Sequence, residues 1–333
     1  MEFSYRIQDS KAVIEKIENP DSTVVVPEEL EGCLVTELGA YALAGTDVEE
    51  LYLPSHLGKI GAYAFYNCRS LRRITCFGRA VDLGTGLFAG VQTVEYLDIT
   101  LFSGERSCLK ELLSELRQTL RVRIREVEAG SEGEGGSEAA GKSVPESREA
   151  RLIFPEYYED SVENTPARIV SIETHGCGHR YRYCFQNRVF QYRDYDSIFP
   201  HMKVQEPEAL AAELAFSRLR YPLGLTEAAS QEYRAYLAEH WKAAGQMLIE
   251  ADRLSRDHVT NLEPGQLPWF VEQVLEPWMG TDAETNWKHI LSSYISMAQN
   301  TGDTEMVSWL MDYQHRRSGS RPEPAQRPRR FEL

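Results

Sequence analysis

The sequence predicts an α+β protein, in which a short β-solenoid of repeats is followed by a separate, mainly α-helical domain. Six columns of residues recur at intervals of 22 or 23 in the first third of the chain. From Glu206 onward, apolar residues instead follow the period of an α-helix. An acidic stretch rich in Gly and Ser lies between the two patterns and separates the two parts.

The chain opens with a pattern typical of a β-hairpin. Residues 3–7 and 12–17 read as its two strands, and they precede residues 23–26, which match the later repeats as a first strand. The coil that follows carries about five extra residues around 31–35 relative to the later copies. We therefore expect the hairpin to close the start of the solenoid.

The repeat itself consists of apolar columns and one glycine column. Each L-x-x-L-x-L segment alternates inward apolar and outward polar residues, which predicts a short strand. We expect the glycine to allow a tight turn, and the aromatic to fill the interior. One coil cannot bury its own apolar face, so the copies must stack. The columns are Val48, Leu71 and Val94; Leu51, Ile74 and Leu97; Leu53, Cys76 and Ile99; Leu38, Ile60 and Leu83; Gly39, Gly61 and Gly84; and Leu43, Phe65 and Phe88.

A helix is predicted at the end of the repeats. Leucines recur at helical spacing over residues 109–120, and an alternating pattern resumes over 122–127. We expect this helix to cap the last coil.

The segments VVVPEELEGCLVTELGAYAL and LPSHLGKIGAYAFYNCRSLRRI resemble the BspA-type leucine-rich repeats of bacterial proteins. That family's pattern is I-P-x-x-x-x-x-I-G-x-x-A-F-x-x-C-x-x-L-x-x-I. The resemblance covers about residues 1–100 and is most specific from Leu53 to Ile74, while Cys76 and Phe77 replace the I-P pair in the third copy. It implies a leucine-rich-repeat fold and a general tendency to bind proteins.

The outward strand positions define a candidate binding surface. We expect Tyr52, Arg72, Arg73 and Tyr96 to contact a protein partner, because aromatic and arginine side chains are frequent interface hot spots. Stacked coils would also align ladders such as Glu49–Arg72–Glu95 and Glu50–Arg73–Tyr96. The alternative interpretation is that neighbouring strands simply neutralise each other's charge.

Charge and composition set the predicted domain boundaries. Residues 126–150 contain seven Glu against one Lys and one Arg, and residues 316–330 contain six Arg against one Glu. Both stretches are too polar to offset the entropy of ordering. We therefore predict a leucine-rich-repeat domain with its capping helix over 1–127, a disordered acidic linker over 128–150, a mainly helical domain over 151–315 and a disordered basic tail over 316–333.

The second half is predicted to be helical after an aromatic-rich opening. Residues 167–173, 181–185 and 188–192 fit either short strands or short helices. Helical stripes follow, and Trp278, Trp287 and Trp309 are expected in their packed faces. Asn300-Thr-Gly-Asp303 predicts a helix end and a new N-cap. This last helix pair resembles an ankyrin-like hairpin.

One group of side chains has the chemistry of a metal or thiol site. His175, Cys177, His179 and Cys184 lie within ten residues, and imidazole and thiolate are zinc ligands. Alternate positions on a strand would bring 175, 177 and 179 to one face, whereas the intervening glycines indicate a tight loop. We expect a structural role, with a metal-binding or thiol-dependent enzyme centred on these residues as the alternative.

The remaining features exclude several function classes. A net charge of −15 disfavours nucleic acid. No apolar run suits a membrane helix or signal peptide, and the cysteines lack paired spacing. Nucleotide-binding and hydrolase motifs are absent. We expect a cytoplasmic, non-catalytic scaffold without cofactor or metal, whose partner is an unknown protein.

Overall fold

The computed structural model describes residues 1–128, 148–164, 169–255, 262–279 and 284–319. The chain divides into two compact units, Met1–Tyr236 and Leu237–Leu333. The first begins with a β-solenoid, and the elements of the second, among its described residues, are all helices.

The solenoid contains twelve strands and one short helix. They are β1 (Glu2–Gln8), β2 (Lys11–Glu18), β3 (Thr23–Val25), β4 (Glu29–Leu30), β5 (Cys33–Leu38), β6 (Glu50–Tyr52), β7 (Lys59–Ile60), β8 (Arg73–Phe77), β9 (Asp82–Leu83), β10 (Tyr96–Phe102), α1 (Leu109–Glu115), β11 (Leu120–Val127) and β12 (Glu149–Phe154).

The strands form two sheets on opposite sides of the coils. We call them sheet A, in the order β1-β2-β5-β7-β9 with β4 beside β5, and sheet B, in the order β12-β11-β10-β8-β6-β3. Five strands of sheet B, from β3 to β11, pair in parallel and mark about five coils. The predicted opening hairpin is confirmed as β1 and β2, which pair antiparallel along their whole length.

The repeat columns predicted from the sequence stack in register. Leu51 lies beside Ile74, and Ile74 lies beside Leu97. All three side chains are buried, and the Phe65 and Phe88 rings stack at 5.3 Å between their centroids. The 23-residue spacing is therefore the length of one coil, and these columns form the core.

Glycine occupies this column for a reason other than the predicted tight turn. Gly61 and Gly84 have no positive φ, so neither needs the conformational freedom of glycine for a turn. Instead, a Cβ on Gly84 would lie 2.2 Å from the backbone nitrogen of Ala62, and one on Gly61 would lie 2.3 Å from that of Ala40. The glycines allow adjacent coils to approach closely.

The predicted capping helix does not end the solenoid. Helix α1 stops at Glu115, because Leu116 has an extended backbone. Strand β11 then pairs in parallel with β10 and adds another coil. Strand β12 pairs antiparallel with β11 and covers its edge. Helix α1 is thus part of a coil, and β12 closes the sheet.

The first compact unit extends beyond the repeats through a hairpin, a small sheet and several helices. They are β13 (Tyr158–Asn164), β14 (Ile169–His175), α2 (Gly178–Arg182), β15 (Phe185–Gln186), β16 (Val189–Phe190), α3 (Tyr192–Ser197), α4 (Phe199–Gln205) and α5 (Glu208–Arg220). Helix α6 (Glu227–Glu239) follows, and the first unit ends within it at Tyr236. The aromatic-rich segment, undecided from sequence, contains both strands and short helices.

Two buried arginines stabilise this extension. Arg182 donates to the carbonyl oxygens of Leu116 and Gln118, at 2.9 and 2.6 Å, and so ties α2 to the end of the repeats. Arg218 is fully buried and donates to both carboxylate oxygens of Asp196, at 2.8 and 3.0 Å. These contacts explain why the compact unit reaches Tyr236, well past the boundary predicted at 127.

The second unit contains paired helices. They are α7 (Trp241–Ser255), α8 (Gln266–Phe270), a π-helical turn (Val271–Leu275), α9 (Glu276–Met279), α10 (Glu284–Thr301) and α11 (Thr304–Gly319). Gly245 lets the Tyr294 ring approach α7, where the Tyr294 hydroxyl donates to the Trp241 carbonyl oxygen at 2.6 Å.

The predicted turn between the last two helices is confirmed. Gly302 has a φ of +75°, and the Asp303 carboxylate accepts a hydrogen bond from the Met306 amide at 3.0 Å. The ankyrin-like resemblance of this pair stays a prediction. The expectation that Trp278 packs in a core is wrong, because its side chain is 51% exposed on the short helix α9. Most of the predicted acidic linker and residues 320–333 of the predicted tail lie outside the described residues.

Candidate functional site

The outward face of sheet B contains Tyr52, Arg73 and Tyr96 of the residues predicted to bind a partner, and Arg72 directly precedes β8. We call this surface the strand face. Arg73 lies directly between Glu50 and Tyr96 in the register, and Thr75 lies beside Tyr52. The sequence therefore placed these side chains on the correct side of the sheet, because outward residues alternate with the buried columns.

The strand face has an open half and a covered half. The open half is formed by β3, β6 and β8, where Val25 is 57% exposed and Tyr52 is half-buried. The covered half is formed by β11 and β12, against which helix α5 packs. On that half even charged side chains such as Arg151 are buried.

Tyr96 lies in β10, between the two halves, and it does not have the surface position expected of it. Its side chain is only 8% exposed. Its ring lies 4.5 Å from the Arg73 guanidinium and 5.9 Å from that of Arg121. Arg121 is in turn held by Glu213 of α5 through two hydrogen bonds of 2.6 and 2.8 Å. Burial raises the pKa of the Tyr96 hydroxyl.

The predicted charge ladders are partly present. Arg72 forms an ion pair with Glu95 at 3.0 Å, and both side chains are well exposed. Arg73 forms an ion pair with Asp98 at 2.8 Å, and both of these side chains are largely buried. The Tyr52 hydroxyl donates to Glu50 at 3.0 Å. Arg72 is thus accessible to a partner, whereas Arg73 mainly supports the sheet.

The His175, Cys177, His179 and Cys184 group does not converge on one point. Strand β14 ends at His175, Gly176 has a φ of +89°, and α2 begins at Gly178, so the loop interpretation of the glycines is confirmed. His175 stacks on Tyr158 at 4.7 Å between ring centroids, while His179 lies 4.4 Å from the Tyr183 ring. Within the described parts of the chain, no three His, Cys, Asp or Glu residues could hold a metal ion.

The thiols of Cys177 and Cys184 are not activated as nucleophiles. Both are buried, and the Cys177 thiol donates to Glu206 at 3.2 Å. Burial raises the pKa of Cys177 to about 12, and the Glu206 hydrogen bond adds to the effect. Burial also raises the pKa of Cys184 to about 12. A reactive cysteine needs a lowered pKa, so these thiols stay protonated and inert at neutral pH.

Sequence reasoning missed a cluster of three tyrosines on the turns between the two sheets. We call Tyr41, Tyr63 and Tyr66 the tyrosine cluster. The Tyr41 and Tyr63 rings stack at 5.3 Å with 14° between their planes. The Tyr66 ring is nearly perpendicular to both, at 6.4 and 6.1 Å. Tyr41 and Tyr66 are 52% and 40% exposed.

The backbone at two of these tyrosines is unusual. Tyr41 and Tyr63 have φ values of +58° and +57°, and Gly86 occupies the same position of the third coil with a φ of +63°. A non-glycine residue in this left-handed region costs roughly 1–3 kcal/mol. The 22-residue spacing of the tyrosines and their replacement by Gly86 were the signals in the sequence that could have revealed the cluster.

Comparison with known proteins identifies the repeats. The family described as BspA type leucine rich repeat region matches residues 35–113, in six copies. No curated protein and no solved structure matches the chain. Among the residues that the structure describes, no helix is long and apolar enough to cross a membrane.

Proposed function

Because residues 35–113 form a BspA-type leucine-rich-repeat region, we propose that this protein is a non-catalytic interaction module that binds a protein partner through its repeats. Repeat solenoids of this kind use their stacking contacts for stability and present an extended surface to other molecules.

The observation that carries the proposal is the open half of the strand face. Val25, Tyr52 and Thr75 lie side by side in the register, so an apolar, an aromatic and a hydroxyl side chain form one row. Arg72, just before the start of β8, adds an accessible guanidinium that pairs with the exposed Glu95. Tyrosine and arginine are enriched among interface hot spots, and an exposed apolar neighbour suits an interface centre.

The covered half limits the contact area. The Arg121–Glu213 ion pair and helix α5 occupy that part of sheet B, and Tyr96 lies beneath Arg121. We therefore centre the proposed interface on Tyr52 and Arg72. In this proposal Arg73 and Tyr96 hold the sheet in place for the partner.

The proposed location is the cytoplasm. All six cysteines are free, and five of them are buried. Unpaired thiols suit a reducing compartment such as the cytoplasm.

Substitution on the open half tests the proposal. Tyr52→Ala with Arg72→Glu should reduce capture of the partner from a lysate of the source cells at least about tenfold, because it removes two central side chains. The control is Arg106→Glu, which makes the same charge change at an exposed position outside the strand face. Undiminished capture by the double variant would exclude the open half as the binding surface.

A further inference from the structure

We infer that the outward face of β10 and β11 binds a phosphate group through Arg123, Arg125 and Thr100. These side chains lie on sheet B beyond the open half, so the site is separate from the interface proposed above. The outward row at this end of the sheet consists of successive neighbours in the register, which are Phe77, Thr100, Arg125 and Glu149.

Arg125 is a cation without a partner anion. The acid directly across from it on β12 is Glu149. The Glu149 carboxylate is engaged elsewhere, because it accepts hydrogen bonds from Arg123 at 2.9 Å and from Arg151 at 2.7 Å. Across the described parts of the chain, the Arg125 side chain has no hydrogen bond or ion pair, and its Nε is buried. A buried donor that no protein group satisfies indicates a bound water or ion.

The side chains around Arg125 carry an excess of two positive charges. Three arginines surround the single carboxylate of Glu149. The other carboxylate near Arg125 belongs to Asp98, and it is already paired with Arg73 at 2.8 Å. Burial lowers the pKa of the Arg125 guanidinium, and the positive charge of Arg123 lowers it further. An anion with two negative charges would balance the group.

The two arginines of β11 are within reach of a small anion. Both are half-buried, and the Arg123 side chain is 32% exposed while Glu149 holds it in place. Arg151 on β12 is buried instead, with the Tyr221 ring 3.7 Å from its guanidinium. The site therefore opens at β11, beside the part of the sheet that the chain itself covers.

The donors of this site fit a phosphate group. Guanidinium groups form short, charge-assisted hydrogen bonds to phosphate oxygens. The half-buried Thr100 lies beside Arg125 in the register, and its hydroxyl makes no hydrogen bond to any residue that the structure describes. This hydroxyl adds a neutral donor next to the cations. A carboxylate would balance only one of the two excess charges, whereas a phosphate dianion balances both.

The test is isothermal titration calorimetry of the full chain with sodium phosphate, in sodium chloride buffer of constant ionic strength. We expect saturable binding that weakens at least about tenfold in Arg125→Gln, because this variant lacks the unpaired cation. In phosphate-free buffer the melting temperature of Arg125→Gln should stay the same or rise, because the variant loses an uncompensated charge. The control Arg69→Gln removes an exposed arginine elsewhere on the repeats and should bind phosphate like the original protein.

Phenyl phosphate, titrated in the same way, distinguishes a phosphate ester from the free ion. Phe77 lies beside Thr100 in the register and can contact an aromatic group on the ligand. Tighter binding of phenyl phosphate than of inorganic phosphate would support an ester as the ligand of this site. Equal binding of the two would support the free ion.

Three results would overturn the inference. The first two are no saturable binding of phosphate by the original protein, and equally tight binding by Arg125→Gln. The third is binding that appears only after the four glutamates between residues 129 and 147 are replaced by glutamine, because the chain's own carboxylates would then be the occupants. If Arg125→Gln does not fold, Thr100→Val repeats the test with an expected loss of affinity of at least about threefold. No variant changes Tyr52 or Arg72, so this site and the open half succeed or fail separately.

Discussion

Arg72 and Arg73 are neighbours in sequence, but their surroundings on the strand face differ. The Arg72 side chain is 61% exposed and pairs with an exposed glutamate. The Arg73 side chain is 17% exposed, pairs with the buried Asp98 and lies over the Tyr96 ring. An exposed ion pair contributes little to stability, whereas breaking a buried pair leaves an uncompensated charge.

Arg73→Glu should therefore lower the free energy of unfolding by about 3–5 kcal/mol, because it places a second carboxylate beside Asp98. Arg72→Glu should cost no more than about 1 kcal/mol. Urea unfolding of the two variants measures the difference, and equal midpoints would contradict it.

The outward direction of Arg73 follows from the two-residue period of strand β8, which is visible in the sequence. The burial of Tyr96 could not be predicted in the same way. It depends on Arg121 and Glu213, which are 92 residues apart and meet only because α5 folds back onto the sheet. The tyrosine cluster left one signal, the 22-residue spacing of Tyr41 and Tyr63, but the residue type alone does not reveal their positive φ.

At the scale of the element, the coils stack through glycines that have no room for a side chain. Gly84 and Gly58 offer a matched pair, because both lie on turns of the repeats without a positive φ. A Cβ at Gly84 would meet the backbone of Ala62 at 2.2 Å, whereas one at Gly58 would meet nothing closer than 3.9 Å.

Gly84→Ala should consequently destabilise the protein by about 1–3 kcal/mol, because the coils must move apart to accept a methyl group. Gly58→Ala should stay within about 0.5 kcal/mol of the original protein. Thermal or urea unfolding compares them. A Gly84→Ala variant as stable as Gly58→Ala would show that the coils do not approach as closely as the structure has them.

The elements themselves differed in how far the sequence could define them. Repeat columns at fixed spacing predicted the strands of the solenoid, because each coil buries apolar residues at equivalent positions. The end of the solenoid was harder to predict. Leu116 and Leu120 fit a helical spacing, yet Leu116 comes just after the end of α1 and Leu120 begins β11. Pairing of β11 with β10 outweighs the local helical preference.

At the scale of the whole molecule, long-range polar contacts within the first unit connect its helices to the end of the repeats. Arg182 connects α2 to Leu116 and Gln118 across more than 60 residues, and such contacts carry no sequence pattern. The first unit consequently includes β12 and the helices up to Tyr236. The position of α5 against β12 then leaves the open half of the strand face as the accessible part of sheet B.

Site-specific photo-crosslinking tests most directly whether that open half binds the partner. A photoreactive amino acid replaces Val25 or Thr75 on the open half, or Met311 in the helical unit, which is 51% exposed and close to the 57% of Val25. We expect crosslinks to one partner from Val25 and Thr75 and none from Met311. Crosslinks from Met311 alone would contradict the account, because the partner would then bind the helices rather than the repeats.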